Sequence, residues 1–155
     1  MKSVLRADQL HMSNKWLYSG LWGALLLILL FSMGGGILGA ESTLGHWTGD
    51  MFRNLCHQDP NRSFFINNLQ MAVNSRCFGV FAGLFSGWAL IPLYLKVKSK
   101  KNPFLWYLLL ALIIQIIDYT GNLFGLWANN NESRFILGYL LGFTASSSVY
   151  DLFKS

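Results

Sequence analysis

The chain is poor in charged residues, cysteine and proline. Of its 155 residues, 12% are charged, two are cysteines and three are prolines. So little charge excludes the usual composition of a soluble domain. Two cysteines allow one intramolecular disulfide at most. The sequence also lacks Cys-x-x-Cys, Cys-x-x-Cys-His, His-Glu-x-x-His, Gly-x-Ser-x-Gly and a phosphate-binding glycine loop, so nothing indicates the redox, haem, metallopeptidase, hydrolase or nucleotide sites that those motifs mark.

Long apolar segments are what the chain has in abundance, since 53% of its residues are hydrophobic. Four segments, at about 17–38, 78–95, 104–127 and 135–153, have the length that crosses a hydrocarbon core of roughly 30 Å at 1.5 Å per residue. The fourth is the weakest, because Thr144 to Ser148 is a polar run. The sequence therefore predicts an all-α integral membrane protein, a single polytopic domain over residues 1–155 with four transmembrane helices. We expect the first helix to stay attached as an anchor.

The cations are distributed unequally between the two sides that four spans would create. One side has Lys2, Arg6, Lys15, Lys96, Lys98, Lys100, Lys101 and Lys154, and the other has Arg53, Arg62, Arg76 and Arg134. The positive-inside bias predicts that both termini are cytoplasmic and that the loops at 39–75 and 129–133 face outward. We expect a bacterial-type plasma (inner) membrane, with the lipid bilayer as one partner and no nucleic acid.

The first outer loop, residues 39–75, is predicted to form short interfacial helices. Apolar residues recur at helical spacing in two places, separated by Asp59-Pro60, which is typical of a helix start. The two apolar faces are Trp47, Met51 and Leu55, and then Phe65, Leu69 and Ala72 or Val73.

Glycines repeat at intervals of four along the later spans. This spacing favours close packing of helix backbones, and a ligand groove is the alternative. The glycines are Gly79, Gly83, Gly87, Gly121, Gly125, Gly138 and Gly142. The run Gly34-Gly35-Gly36 is expected to bend or loosen the outer end of the first span.

An aspartate, Asp118, lies inside the third span, where a charge normally has a partner. Asn122 shares its polar helix face, and Arg76 and Arg134 are the candidate partners, with Arg62 on the outer loop. Two interpretations stay open. Asp118 locks the helices together through an ion pair, or it serves a proton or ligand site, as in a small transporter.

Cys56, His57 and Cys77 are the residues of the outer loop that indicate chemistry. They are compatible with a structural disulfide, with a metal ion such as zinc, or with thiol–disulfide exchange. Unpaired, inert thiols are the remaining alternative. A zinc site would need a fourth ligand, for which His46, Asp50 and Asp59 are the candidates.

The chain resembles a prokaryotic family of small predicted membrane proteins of unknown function. The resemblance extends from about Cys56 to Gly142. It rests on Cys56-His57-Gln58, Arg62-Ser63-Phe64, Arg76-Cys77-Phe78-Gly79 and Gly83, and on a later block with Asp118, Gly125, Asn131, Ser133-Arg134, Gly138 and Gly142. It implies a membrane protein with a site at these positions, and no established activity.

One position departs from the pattern Cys-x-Arg-Cys-x-Gly that the family typically has. Asn74 stands where the first of these cysteines is expected. Three cysteines and a histidine would suit zinc, whereas Asn74 offers only a neutral oxygen. The resemblance therefore implies a site without naming its ligand.

The leading functional prediction is a non-enzymatic accessory or assembly subunit of a larger membrane complex, with other membrane proteins as partners. Its extracytoplasmic Cys/His/Arg site would hold a disulfide or a metal ion. The alternative is a membrane thiol–disulfide oxidoreductase, and a third reading is a small transporter that uses Asp118.

Overall fold

A computed structural model describes residues 2–39, 42–96 and 104–149. The helices are α1 (Lys2–Ser32), α2 (Gly35–Leu38), α3 (Thr43–Phe52), α4 (Ser75–Ala89), α5 (Ile91–Lys96), α6 (Phe104–Leu123) and α7 (Asn131–Ser148). A 3-10 turn (Pro60–Arg62) and the strands β1 (Phe65–Ile66) and β2 (Leu69–Gln70) lie between α3 and α4. Lys98, Lys100, Lys101, Lys154 and the end of the fourth predicted segment lie outside the described residues.

Three helical segments are long and apolar enough to cross a membrane. They are Lys15–Ser32 in α1, Ser75–Leu93 across α4 and α5, and Leu105–Leu123 in α6. The predicted helical architecture is thus confirmed, with three candidate spans among the described residues where four were predicted. Helix α7 occupies the fourth segment but is not among these three, because its 18 residues include the polar first turn Asn131–Arg134 as well as Thr144 and the serines after it.

The first candidate span is interrupted at its C-terminal end, as the glycine run predicted. Helix α1 stops at Ser32, and Gly34 adopts φ 61°, a conformation that favours glycine. A side chain at Gly34 would also collide with the backbone of Ala72. This break therefore allows residues 42–75, called the outer segment after their predicted side, to pack directly on the end of the helix.

Helix α3 confirms that the first of the two predicted short helices forms, and its place at the membrane interface stays a prediction. The side chain of Ser42 caps it by accepting a hydrogen bond from the backbone N–H of Gly45, at 2.9 Å. Trp47 and Met51 are exposed on one side, while Thr48 and Phe52 are buried on the other. The predicted third member of the apolar face, Leu55, lies beyond the end of the helix.

The second interfacial helix was predicted wrongly. Asp59 does act as an N-cap, by accepting from the backbone N–H of Asn61, but the helix that it starts is a single 3-10 turn. An antiparallel hairpin of β1 and β2 follows. Its two connecting residues, Asn67 and Asn68, have φ of 52° and 62°, as a two-residue type I′ turn requires.

The long helices form a row in the order α1, α4, α7, α6. Helices α4 and α7 make the most extensive contact, and it depends on glycine. A side chain at Gly83 would collide with the carbonyl of Tyr139, and one at Gly142 would collide with the carbonyl of Val80. Gly79, Gly87 and Gly138 are equally close to the facing helix. The two backbones therefore touch along their length.

The glycines of the third span do not pack helices together. Gly121 is covered by the ring of Trp127 from the same segment. Gly125 lies beyond the end of α6, with φ 70°. The backbone N–H of Leu126 donates to the carbonyl of Gly121 there, at 2.9 Å, which closes the helix with a left-handed glycine. The predicted span therefore ends at Leu123 and not at Trp127.

Candidate functional site

The two cysteines meet where the outer segment contacts the first turn of α4. The backbone N–H of Cys56 donates to the carbonyl of Phe52 at 2.8 Å, which continues α3 by one turn. Cys77 follows the N-cap residue Asn74, whose side-chain oxygen accepts from the Cys77 N–H at 3.0 Å. The two sulfurs are hydrogen-bonded to each other and are not bridged.

The sulfur of Cys56 lies in an environment that stabilises its thiolate. The hydrogen bond from Cys77 lowers the pKa of Cys56 to about 5, despite burial, which acts in the opposite direction. The backbone N–H groups of Asn74, at 3.2 Å, and of Gln58 also donate to this sulfur. His57 adds a small electrostatic contribution. These donors therefore favour the thiolate form of Cys56.

A metal ion would find few ligands here. Within the part of the chain that the structure describes, no three His, Cys, Asp or Glu side chains are grouped closely enough to hold one. His57 is exposed to solvent. Asn74, which stands where the family pattern has a cysteine, uses its side chain to cap α4 and its backbone to bind the Cys56 sulfur. The donor set is thus two sulfurs, which suits a dithiol or disulfide better than zinc.

Gln58 organises the backbone beside the cysteine pair, a role that the sequence analysis did not assign. It adopts a left-handed φ of 49°. Its side-chain amide donates to the carbonyls of Gly49, at 2.6 Å, and Ala72, at 2.8 Å. Its own carbonyl accepts from the side chain of Gln70, at 2.7 Å. Gln58 thereby joins α3 to the hairpin. The only signal in the sequence was its place next to Cys56-His57.

Asp118 forms an ion pair with Arg76 across the row of helices. The same carboxylate oxygen accepts a hydrogen bond from the side-chain amide of Asn129 at 2.7 Å. The side chains of Arg76 and Asp118 are only 27% and 12% exposed. The aspartate thus has the partner that its position demands. Asn129 was missed because its side chain returns to Asp118 from the loop beyond the helix.

Arg62 and Arg134 lie near this pair. Arg62 forms its own ion pair with Asp59, at 3.2 Å. Arg134 interacts electrostatically with Arg62, Arg76 and both carboxylates. Four of the five predicted polar residues therefore gather at one end of the helices. Asn122 does not, since its side chain donates instead to the carbonyl of Trp127, at 3.1 Å.

Asn131 fastens this cluster to the outer segment. Its side-chain amide donates to the carbonyl of Ser63 at 3.0 Å, and its side-chain oxygen accepts from the hydroxyl of Ser75 at 3.4 Å. Both serines are fully buried. The family resemblance included Asn131, but its contact with Ser63 joins residues that are 68 positions apart and has no local signal in the sequence.

Comparisons with known proteins match the part of the chain that contains these residues. An uncharacterized protein of Methanocaldococcus jannaschii (MJ1492) is 43% identical over 99 residues, which cover 64% of this chain and 64% of the relative. The chain thus matches somewhat less than two thirds of that relative's length. An uncharacterized protein of Methanothermobacter thermautotrophicus is 35% identical over 91 residues, or 59% of this chain and 80% of the relative. No solved structure matches.

A family described as "Predicted membrane protein (DUF2085)" matches residues 56–147. The match begins at Cys56 and includes the arginine cluster and the glycine contact of α4 with α7. The family resemblance is thereby confirmed, while the residue motif on which it rested stays a prediction. This chain belongs to the DUF2085 family of predicted membrane proteins.

Proposed function

We propose that the protein is a small, non-enzymatic subunit of a larger membrane assembly. The open row of helices is the observation that carries this proposal. Helices α1 and α6 lie at opposite ends of the row, each packed mainly on one neighbour. Apolar side chains on α6 are exposed along its length, among them Leu105, Leu109, Ile113, Ile116 and Ile117. A row that does not close leaves its edges free for the helices of another subunit.

Helix α7 is the proposed fourth span. Its 18 residues measure about 27 Å at 1.5 Å per residue, close to the hydrocarbon thickness. Thr144, Ser146 and Ser147 are buried within the row. The hydroxyls of Thr144 and Ser146 donate to carbonyls one turn earlier, at 2.8 and 3.1 Å. Its polar groups are therefore largely shielded from lipid, which lowers their cost in a membrane.

The proposed orientation has both termini in the cytoplasm and the Cys56 loop outside. The distribution of lysines supports it. With four spans, the start of α4, the end of α6 and the start of α7 share the outer side. Labelling from outside intact cells should reach a tag inserted after Asn54 and should not reach one after Ser155. The reverse pattern would contradict the orientation.

Photo-crosslinking tests the assembly proposal directly. A photoreactive residue at Ile116, whose side chain is 66% exposed, should form an adduct with another protein in the native membrane. Ala111 on the same helix is 8% exposed and is the matched control, which should give no such adduct. The proposal fails if Ile116 gives lipid adducts only and the protein purified in mild detergent is a monomer without partners.

The cysteine pair is proposed to fasten the outer segment to the spans. With Cys56 as the thiolate, oxidation would join the two sulfurs and pass two electrons and the proton of Cys77 to an external disulfide, which leaves as one thiol and one thiolate. Cys56 belongs to a buried cluster with Phe52, Ala72 and Val73, against which Cys77 packs. A bridge at this point would tie α3 and the hairpin to the first turn of α4.

Thiol–disulfide exchange is the second candidate, and the stabilised thiolate of Cys56 favours it. In such a reaction the thiolate attacks a substrate disulfide, and Cys77 then displaces the substrate and completes the bridge. Cys56 is only 5% exposed, however, which hinders attack on a protein disulfide. Rapid alkylation of Cys56 on intact cells at pH 6 would favour exchange, and slow alkylation after full reduction would exclude it.

A further inference from the structure

Three arginines gather at the outer end of the helices. Arg62 lies on the outer segment, Arg76 on the first turn of α4 and Arg134 on the first turn of α7. Arg134 interacts electrostatically with both other arginines and with Asp59 and Asp118. Glu132 also lies on the first turn of α7, but its side chain is exposed and it forms no ion pair with these arginines among the described residues.

Among the described residues, Arg134 is the arginine of this cluster without an ion-pair partner. Arg76 pairs with Asp118, and Arg62 pairs with Asp59. Among the described residues, no carboxylate lies within ion-pair distance of Arg134. Within the described part of the chain, its guanidinium makes one hydrogen bond, a long one of 3.5 Å to the side-chain oxygen of Asn131. Most of its five donors are therefore available.

Arg134 lies at the level where two of the candidate spans begin or end. The candidate span Ser75–Leu93 begins next to Arg76, and the span Leu105–Leu123 ends five residues beyond Asp118. Arg134 is half-buried at this level. Like charges repel more strongly where water is partly excluded, so an anion between the arginines would relieve a real cost. The first turn of α7 adds the positive end of its helix dipole.

We propose that Arg134, together with Arg62, binds a phosphate group beside the N-terminal ends of α4 and α7. The planar fork of a guanidinium matches two phosphate oxygens at once. The Arg76–Asp118 pair forms one side of this site. Its position is fixed further by the hydrogen bond from Asn129 to the Asp118 carboxylate. The phosphate has two available sources, an anionic lipid headgroup and free inorganic phosphate, and both present the same oxygens.

Binding is measured on the full chain, delipidated in a neutral detergent. The probes are phosphatidylglycerol, phosphatidylcholine, and inorganic phosphate against chloride at equal ionic strength. Phosphatidylglycerol or inorganic phosphate should raise Tm above its matched reference, and native mass spectrometry should detect the bound lipid. A response to phosphatidylglycerol alone identifies a headgroup as the source, whereas an equal response to inorganic phosphate identifies a free anion. No response to either overturns the site.

Arg134→Gln should abolish the response, and the matched control Arg53→Gln should keep it. Arg53 lies on the same outer segment, is 77% exposed, and pairs loosely with Asp50 at 4.0 Å. If both variants bind like the wild type, the contact is ordinary arginine–lipid attraction and the proposal is wrong. Should Arg134→Gln not fold, Arg134→Lys retains the charge without the fork and should bind about tenfold more weakly. An unchanged affinity in that variant would overturn the proposal.

Discussion

Cys56 shows how backbone groups and one neighbouring thiol can change the acidity of a buried sulfur. Its sulfur accepts from the N–H of Asn74, the N–H of Gln58 and the thiol of Cys77. Burial opposes ionisation, and these donors outweigh it. The result is a thiolate supported mainly by its partner cysteine and not by a basic side chain.

Cys77→Ala should therefore raise the pKa of Cys56 from about 5 toward its ordinary value of 9.0, because the largest stabilising contact is lost. Thiolate absorbance near 240 nm measures the titration. Cys56→Ala is the control, which should remove the transition at low pH. An unchanged midpoint in Cys77→Ala would show that the backbone donors alone are sufficient.

The same pKa predicts how stability depends on pH. Because the pKa of Cys56 is lower in the folded chain, the folded protein binds fewer protons than the unfolded one between about pH 5 and 9. The contribution of Cys56 to the free energy of unfolding should rise across this range and be lost as the pH falls through about 5. Subtracting the unfolding curve of Cys56→Ala isolates this contribution, and a flat difference would contradict the prediction.

Asp118→Asn should destabilise the protein by about 3 kcal/mol, because it leaves a largely buried arginine without its carboxylate. Unfolding in detergent micelles measures this loss. Adding Arg76→Gln should recover part of it. The control is Asp50→Asn, in an ion pair that is almost fully exposed, where we expect no more than about 0.5 kcal/mol. Equal effects at the two aspartates would refute the structural role of the Arg76–Asp118 pair.

At the scale of elements, the contact between α4 and α7 depends on residues without side chains. Gly83→Ala should destabilise the protein by about 2 kcal/mol, because the added methyl group would collide with the carbonyl of Tyr139. Gly20→Ala in α1 is the matched control, since nothing lies within 4 Å of that position. It should leave the free energy of unfolding unchanged or slightly raised. If Gly83→Ala destabilised the protein less than Gly20→Ala, the result would show that α4 and α7 separate easily.

The hairpin depends on its two asparagines. Asn68→Val should destabilise the outer segment by about 1 to 2 kcal/mol, because a β-branched residue resists the left-handed conformation at φ 62°. Asn68→Gly should not. Amide hydrogen exchange at the backbone N–H of Met71, which donates to Phe64 at 3.0 Å, reports on this hairpin. Similar exchange in both variants would contradict the turn assignment.

These elements differ in how far the sequence predicts them. Apolar length alone predicts the three spans, because lipid forces helical structure on such segments. The hairpin was mistaken for a helix because Phe65 and Leu69 are spaced by four, while Asn67 and Asn68 decide the local backbone. Of the two partners of Asp118, one was predicted and one was not. Arg76 was a candidate by charge, whereas Asn129 is placed by the way the chain turns after α6.

At the scale of the whole molecule, the outer segment and the spans meet at the cysteine pair. Closing a disulfide between residues 56 and 77 should stabilise the protein by about 3 kcal/mol in the chain-entropy model. Tm should therefore be higher for the oxidised protein than for the reduced one. Cys77→Ser should melt at the same temperature under both conditions. Equal Tm values for the two wild-type forms would show that a bridge adds nothing to the outer segment.

The glycine contact between α4 and α7 has a mechanical consequence. Where backbone touches backbone, few side chains can rearrange between the helices, so we expect α4 and α7 to shift as one rigid body. Rearrangement within the membrane then falls to α1 and α6. Helix α1 is held to α4 by Tyr18 and Trp88, whose side chains each donate to the other residue's backbone carbonyl at 3.2 Å. Helix α6 is held to the opposite end of α4 by the Arg76–Asp118 ion pair. The two flanking helices would therefore pivot about points at different depths.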